Sequence, residues 1–122
     1  MTEPVNMKPL IYAVDDIEQA RDLYVATLSE SYNVRVFENY EECLRVIKVE
    51  KPHVILCDLI LPSMNGWEGI NAIKKAAPGT HLIVATCLNN PIQHETAEIK
   101  GLKFWPKSST KHLKRLIKEC LT

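Results

Sequence analysis

Val54-Ile55-Leu56-Cys57-Asp58-Leu59-Ile60-Leu61-Pro62-Ser63-Met64-Asn65-Gly66 is the stretch whose reading decides the fold. Its first four residues are continuously apolar and open on two β-branched side chains. That is the pattern of a strand buried on both faces of a parallel sheet, not of a strand with one wet face. An acidic residue ends the run, and beyond Gly66 the aliphatics Ile70 and Ile73 recur at helical spacing.

Working outward, the same alternation repeats. Leu10–Val14 (LIYAV) and Leu82–Ala85 (LIVA) are further apolar runs, while Val34–Phe37 (VRVF) and Leu102–Trp105 (LKFW) are interrupted by a charge and read as edge strands. Ile17, Ala20, Leu23, Tyr24 and Leu28 predict a first helix. Cys43, Leu44 and Ile47 predict a second, with Asn39 as its N-cap. Pro91–Lys100, whose larger aliphatics are Ile92 and Ile99, reads as a short or mobile fourth helix. Leu113, Leu116, Ile117, Cys120 and Leu121 form the stripe of a last helix, capped by Ser108, Ser109 or Thr110. Five strands alternating with five helices predict an α/β domain of right-handed units, a parallel sheet with helices on both faces.

The chain of 122 residues is 46% hydrophobic, which predicts a single domain over residues 1–122 with its core about residues 9–121 and no effector domain. Fifteen basic residues balance fifteen acidic ones, which argues against a strongly basic nucleic-acid binder. No apolar run approaches the roughly 20 residues of a membrane span, and the start MTEPVNMKP lacks the apolar stretch of a secretory signal. Cys43, Cys57, Cys87 and Cys120 fall singly, so reduced thiols in a cytoplasmic protein are expected. Charge is uneven along the chain: residues 100–122 carry seven basic groups against Glu119 alone. That stretch is a solvated helix face or a docking surface.

In open α/β sheets, ligands bind beyond the carboxyl ends of the strands. Asp15 and Asp16 follow the first run, Asp58 the third, Thr86 the fourth, and Lys107 lies just past the fifth. Each alone reads as a turn, cap or surface residue. Together, three crowded carboxylates repel one another unless a cation joins them. Hard oxygen donors suit Mg²⁺ or Mn²⁺, and a lysine and a hydroxyl opposite suit a phosphoryl group.

At these residues the sequence resembles the receiver domain of two-component response regulators, over essentially its full length. The motifs are Val14-Asp15-Asp16, the Asp58–Gly66 stretch with its D-x-x-L-P-x-x-N-G pattern, Ala85-Thr86-Cys87, and Gly101 to Lys107. The resemblance implies a flavodoxin-like sheet of order 2-1-3-4-5. It implies that Asp58 accepts a phosphoryl group from a histidine kinase or histidine phosphotransfer protein. Mg²⁺ would be held by Asp16, Asp58 and the Ile60 backbone carbonyl, with Asp15 helping through water. Lys107 and Thr86 would contact the phosphoryl oxygens, joined by the backbone N–H groups of Ile60 and Cys87. Pro62 and Gly66 would shape the loop and start the third helix. A switch would run through Thr86 and Phe104 to the face made by the fourth helix, fifth strand and fifth helix, which would signal to a partner protein or form a homodimer. Direct DNA binding is not expected.

The sequence departs from the family in three places. Pro106 precedes Lys107 and Ser108 follows it, where the family has Lys followed by Pro across a cis bond; a trans bond is expected here, since cis before Ser costs about 3 kcal/mol. Ile17 stands where an acid is common. Ile60 and Leu88 flank the path of the hydrolytic water with apolar side chains, which predicts slow self-dephosphorylation. The alternative is a pseudo-receiver, a protein-interaction module of the same fold that is not phosphorylated. The full set of acids, Thr86 and Lys107 speaks against it. A haloacid-dehalogenase-type phosphatase would need a second acid at Ile60, and a flavodoxin-like carrier would need a hydroxyl- and Gly-rich loop where Asp15-Asp16-Ile17-Glu18 stands.

Overall fold

The computed structural model describes residues 8–59, 65–86 and 91–122. Its elements alternate without exception among these residues: β1 (Leu10–Val14), α1 (Glu18–Leu28), β2 (Asn33–Phe37), α2 (Tyr40–Ile47), β3 (Val54–Asp58), α3 (Gly66–Ala76), β4 (His81–Ala85), α4 (Pro91–Ile99), β5 (Lys103–Trp105) and α5 (Thr110–Leu121). The strands form one parallel sheet of order β2-β1-β3-β4-β5. The charge-interrupted runs are indeed its two edges.

The continuous apolar runs are explained by the two-layer cover. Successive strand side chains point to opposite faces, so β1 sends Ile11 and Ala13 to one layer and Tyr12 and Val14 to the other. The first layer also takes Val54, Leu56, Ile83 and Ala85, covered by Tyr24 and Leu28 of α1 and Leu113, Ile117 and Cys120 of α5. The second takes Ile55, Cys57, Leu82 and Val84, covered by residues of α2 and α3 and by Ala97 of α4. Asn39 caps α2 by accepting from the Glu42 N–H at 2.9 Å, and Ser109 caps α5 through the His112 N–H at 3.1 Å.

In two helices the buried face is not the one the larger aliphatics mark. In α1 the sheet-facing side is Ala20, Tyr24 and Leu28, while Ile17 and Leu23 are 49% and 48% exposed. In α4 the two large aliphatics do not anchor the helix: Ile92 and Ile99 are 71% and 78% exposed, and Ala97 is the buried contact. Spacing identified these segments as helical, but so few apolar positions leave the buried stripe underdetermined.

Candidate functional site

The site is built at the carboxyl ends of the central strands. One residue past β1, the Asp15 N–H still pairs with the Phe37 carbonyl at 3.0 Å, so this carboxylate is carried by the sheet itself. Asp15 is fully buried, and both its oxygens have partners. Oδ1 accepts from the Ile17 N–H at 3.1 Å, a turn that leads the chain into α1. Oδ2 accepts from the Tyr24 hydroxyl at 2.8 Å and from Lys107 Nζ at 2.9 Å. The Arg21 guanidinium donates to the Asp15 carbonyl at 2.9 Å.

Asp58 is the last residue of β3 and is buried. Lys107 Nζ lies 3.4 Å from its Oδ2. Its backbone carbonyl accepts from the Tyr40 hydroxyl at 2.6 Å. Burial first, and then the neighbouring Cys57 and Asp58, push the Tyr40 phenol well above its ordinary range, so it stays a protonated donor. Tyr40 fits there because residue 69 is glycine: a Cβ on Gly69 would run into the Tyr40 ring. A Cβ on Gly66 would run into the backbone of Leu59, just past Asp58, so the start of α3 packs against the end of β3 only with glycine at that position.

Asp15, Asp16 and Asp58 each offer a carboxylate oxygen, and the three atoms lie within 4.8 Å of one another. An oxygen-only donor set with half-buried Asp16 on its open side fits a hard divalent cation such as Mg²⁺. On the other side stands Lys107, with a φ of 54°, in the left-handed region that costs a non-glycine residue about 1–2 kcal/mol. Peptide bonds among the described residues are trans, including Lys107–Ser108. The Ser109 carbonyl accepts from the Trp105 indole at 3.1 Å and braces this loop against β5.

Of the residues singled out in the sequence, Asp15, Asp16, Asp58 and Lys107 therefore converge. Thr86 is buried one residue beyond Ala85, the β4 partner of Asp58. Phe104 is half-buried, its ring stacked on His94 of α4 at 4.8 Å and 18°. Ile60, Pro62, Cys87 and Leu88 lie outside the described residues. Sequence reasoning missed Tyr24 and Tyr40 as polar partners of the acids, having counted Tyr24 only as an apolar stripe residue. The available signal was chemical: a buried tyrosine hydroxyl needs an acceptor.

Residues 11–118 match the response regulator receiver domain family. The chain belongs to that family. Receiver domains are signalling domains of two-component systems; they interact with histidine kinases or phosphotransfer proteins and bind Mg²⁺ at an acidic site. The Asp15–Asp16–Asp58 pocket of this receiver fits such a phosphorylation site. It is 29% identical to the chemotaxis protein CheY of Halobacterium salinarum over 83 residues, covering 67% of this chain and 69% of that protein. It is 32% identical over 79 residues to the autoinducer 1 sensor kinase/phosphatase LuxN of Vibrio campbellii, covering 64% of this chain but 9% of LuxN. Among solved structures it superposes on the response regulator TrrA of Thermotoga maritima, in complex with Mg²⁺ and BeF, with a TM-score of 0.82. There the identity is 25%, with 93% of this chain and 99% of that one covered. No helix among the described residues is long and apolar enough to cross a membrane.

Proposed function

We propose that this receiver accepts a phosphoryl group on Asp58 from a phosphohistidine of a histidine kinase or phosphotransfer protein, with Mg²⁺ (or Mn²⁺) at the acidic cluster, and passes its state to a partner protein. The observation that supports this most directly is the convergence of three carboxylate oxygens within 4.8 Å, two of the three acids also touching Lys107 Nζ. Asp15, Asp16, Asp58 and the Ile60 carbonyl would hold the cation, which when bound supplies positive charge beside the transferring phosphoryl oxygens.

The rest is the work of the chain's own groups. The donor's P–N bond breaks, a P–O bond forms to an Asp58 carboxylate oxygen, and the imidazole leaves on its own nitrogen. Such transfers need positioning and charge neutralisation more than covalent help from the protein. Tyr40 holds the Asp58 main chain still. Lys107 shifts its contact from the carboxylates to the phosphoryl oxygens, where Thr86 and the Ile60 and Cys87 N–H groups add donors. Ile60 and Leu88 offer the hydrolytic water no base, so the phosphorylated state decays slowly. Output runs through Thr86 and Phe104 to the α4-β5-α5 face, where basic residues of α5 suit a protein partner or a second copy.

We further propose that it works in the cytoplasm, where buried thiols outside disulfides, such as Cys43 and Cys57, persist. The test is intact mass after incubation with acetyl phosphate and Mg²⁺. One phosphoryl adduct is expected, absent in Asp58→Asn and with chelator, and persisting for minutes or longer once donor is removed. No adduct in the wild type under any condition would replace this reading with that of a pseudo-receiver. Decay within seconds would remove the slow-hydrolysis part alone.

A further inference from the structure

We propose that Tyr24 is a positioning residue of this site, holding the Asp15 carboxylate through its hydroxyl so that the acid keeps its aim while Lys107 moves. This rests on the metal-dependent phosphoacceptor reading above. Tyr24 lies in mid-α1 in the layer covered by α1 and α5, where its ring meets Trp105 edge-on at 6.2 Å and 64°. A phenylalanine would serve that packing equally well. The hydroxyl is the part that packing does not explain, and it donates to Asp15 Oδ2 at 2.8 Å.

The acceptor side shows why this matters. Asp15 Oδ1 is engaged by the Ile17 N–H, and Oδ2 carries two donors, the Tyr24 hydroxyl and Lys107 Nζ. These two donors differ in kind. The phenol is set by a buried ring with two torsions, fixed by its helix. The ammonium ends a long flexible side chain from a loop, and it is already shared with Asp58 at 3.4 Å. A group added to Asp58 draws Lys107 toward its oxygens. Asp15 then retains two fixed donors and stays oriented, buried and without a mobile counter-ion. With no Tyr24 hydroxyl, Lys107 would be the side-chain donor left on Oδ2 among the contacts described, and releasing it would free the carboxylate to turn. Partners that orient a metal-binding side chain from behind commonly change affinity about 10–100-fold when removed.

Tyr24→Phe keeps the ring and deletes this contact. Mg²⁺ titrated into wild type and variant by calorimetry, with no phosphodonor present, reads the site without its activity. The expected result is a Kd raised about tenfold in Tyr24→Phe with the thermal midpoint little changed. The effect should vanish in an Asp15→Asn background, because Tyr24 acts through Asp15. An unchanged Kd, or an equal change in the Asp15→Asn background, overturns the proposal and leaves the receiver reading intact. Absence of Mg²⁺ binding by the wild type overturns both. Should Tyr24→Phe not fold, the ¹³Cζ resonance of Tyr24 in the wild type decides: it moves on Mg²⁺ addition if the proposal holds and stays put if it fails.

Discussion

The centre of the sheet and its β5 edge are built to different standards. Ile11 to Val14 of β1 and every residue of β3 are buried, covered on both faces, and Asp15 and Asp58 extend directly from them. At the edge, β5 has three residues, and α4 is seated on the sheet by Ala97. Its other ties are polar or aromatic: the Trp67 indole donates to Gln93 at 2.7 Å, Lys100 stands 5.6 Å over the Trp67 ring, and His94 stacks on Phe104. Carboxylates that must meet in one place are carried by the stiffest part of the molecule. The surface proposed above to carry the output belongs to a part with few buried contacts, where local opening costs least.

The contrast can be broken most severely at its stiff end. Leu56→Ala, in the middle of β3, should cost about 2–5 kcal/mol in urea unfolding, because the fully covered strand cannot collapse around the lost atoms. Tyr40→Phe should cost about 1–3 kcal/mol, since it removes the phenol's hydrogen bond to the buried Asp58 carbonyl. The same variant sharpens a pH effect. Tyr40 and Tyr12 both have phenols raised above the ordinary value of 10.0, chiefly by burial. The folded state therefore holds protons that the unfolded chain releases. Stability should be fully present below about pH 10 and fall as the pH rises beyond it, and the fall should be shallower in Tyr40→Phe. At the edge, Ile92→Ala and Ile99→Ala should each stay within about 0.5 kcal/mol of wild type. A loss as large as that of Leu56→Ala would mean that α4 is held as firmly as the centre.

Much of this was legible in the residues alone. Leu10–Val14 is the strand the apolar run predicted, and β3 extends the predicted run only by including Asp58. Such runs are legible because burial on both faces is a local demand on every side chain. Lys107 could be picked out as the lysine nearest the fifth strand, but its left-handed φ could not, since that conformation depends on the loop braced through Ser109 and Trp105. The exposure of Ile92 and Ile99 could not be read from the residues, because a nine-residue helix with few aliphatics gives spacing too little to work with. The hydroxyls of Tyr24 and Tyr40 escaped for a different reason. Their acceptors lie 9 and 18 residues away in sequence, and only the packed layers bring them together. Gly69 is the clearest case, a helix glycine whose purpose is the volume of a ring on the neighbouring helix.

That ring has a mechanical consequence. Because Tyr40 pins the main chain of Asp58 from the α2 side, and Gly66 lets α3 lie flush against Leu59, β3 behaves as an anvil. Under the proposed phosphorylation, bulk added to the Asp58 side chain would meet resistance on that flank and yield toward Thr86, β5 and α4. On that reading, the direction in which a signal would leave the site is chosen by where the molecule refuses to give.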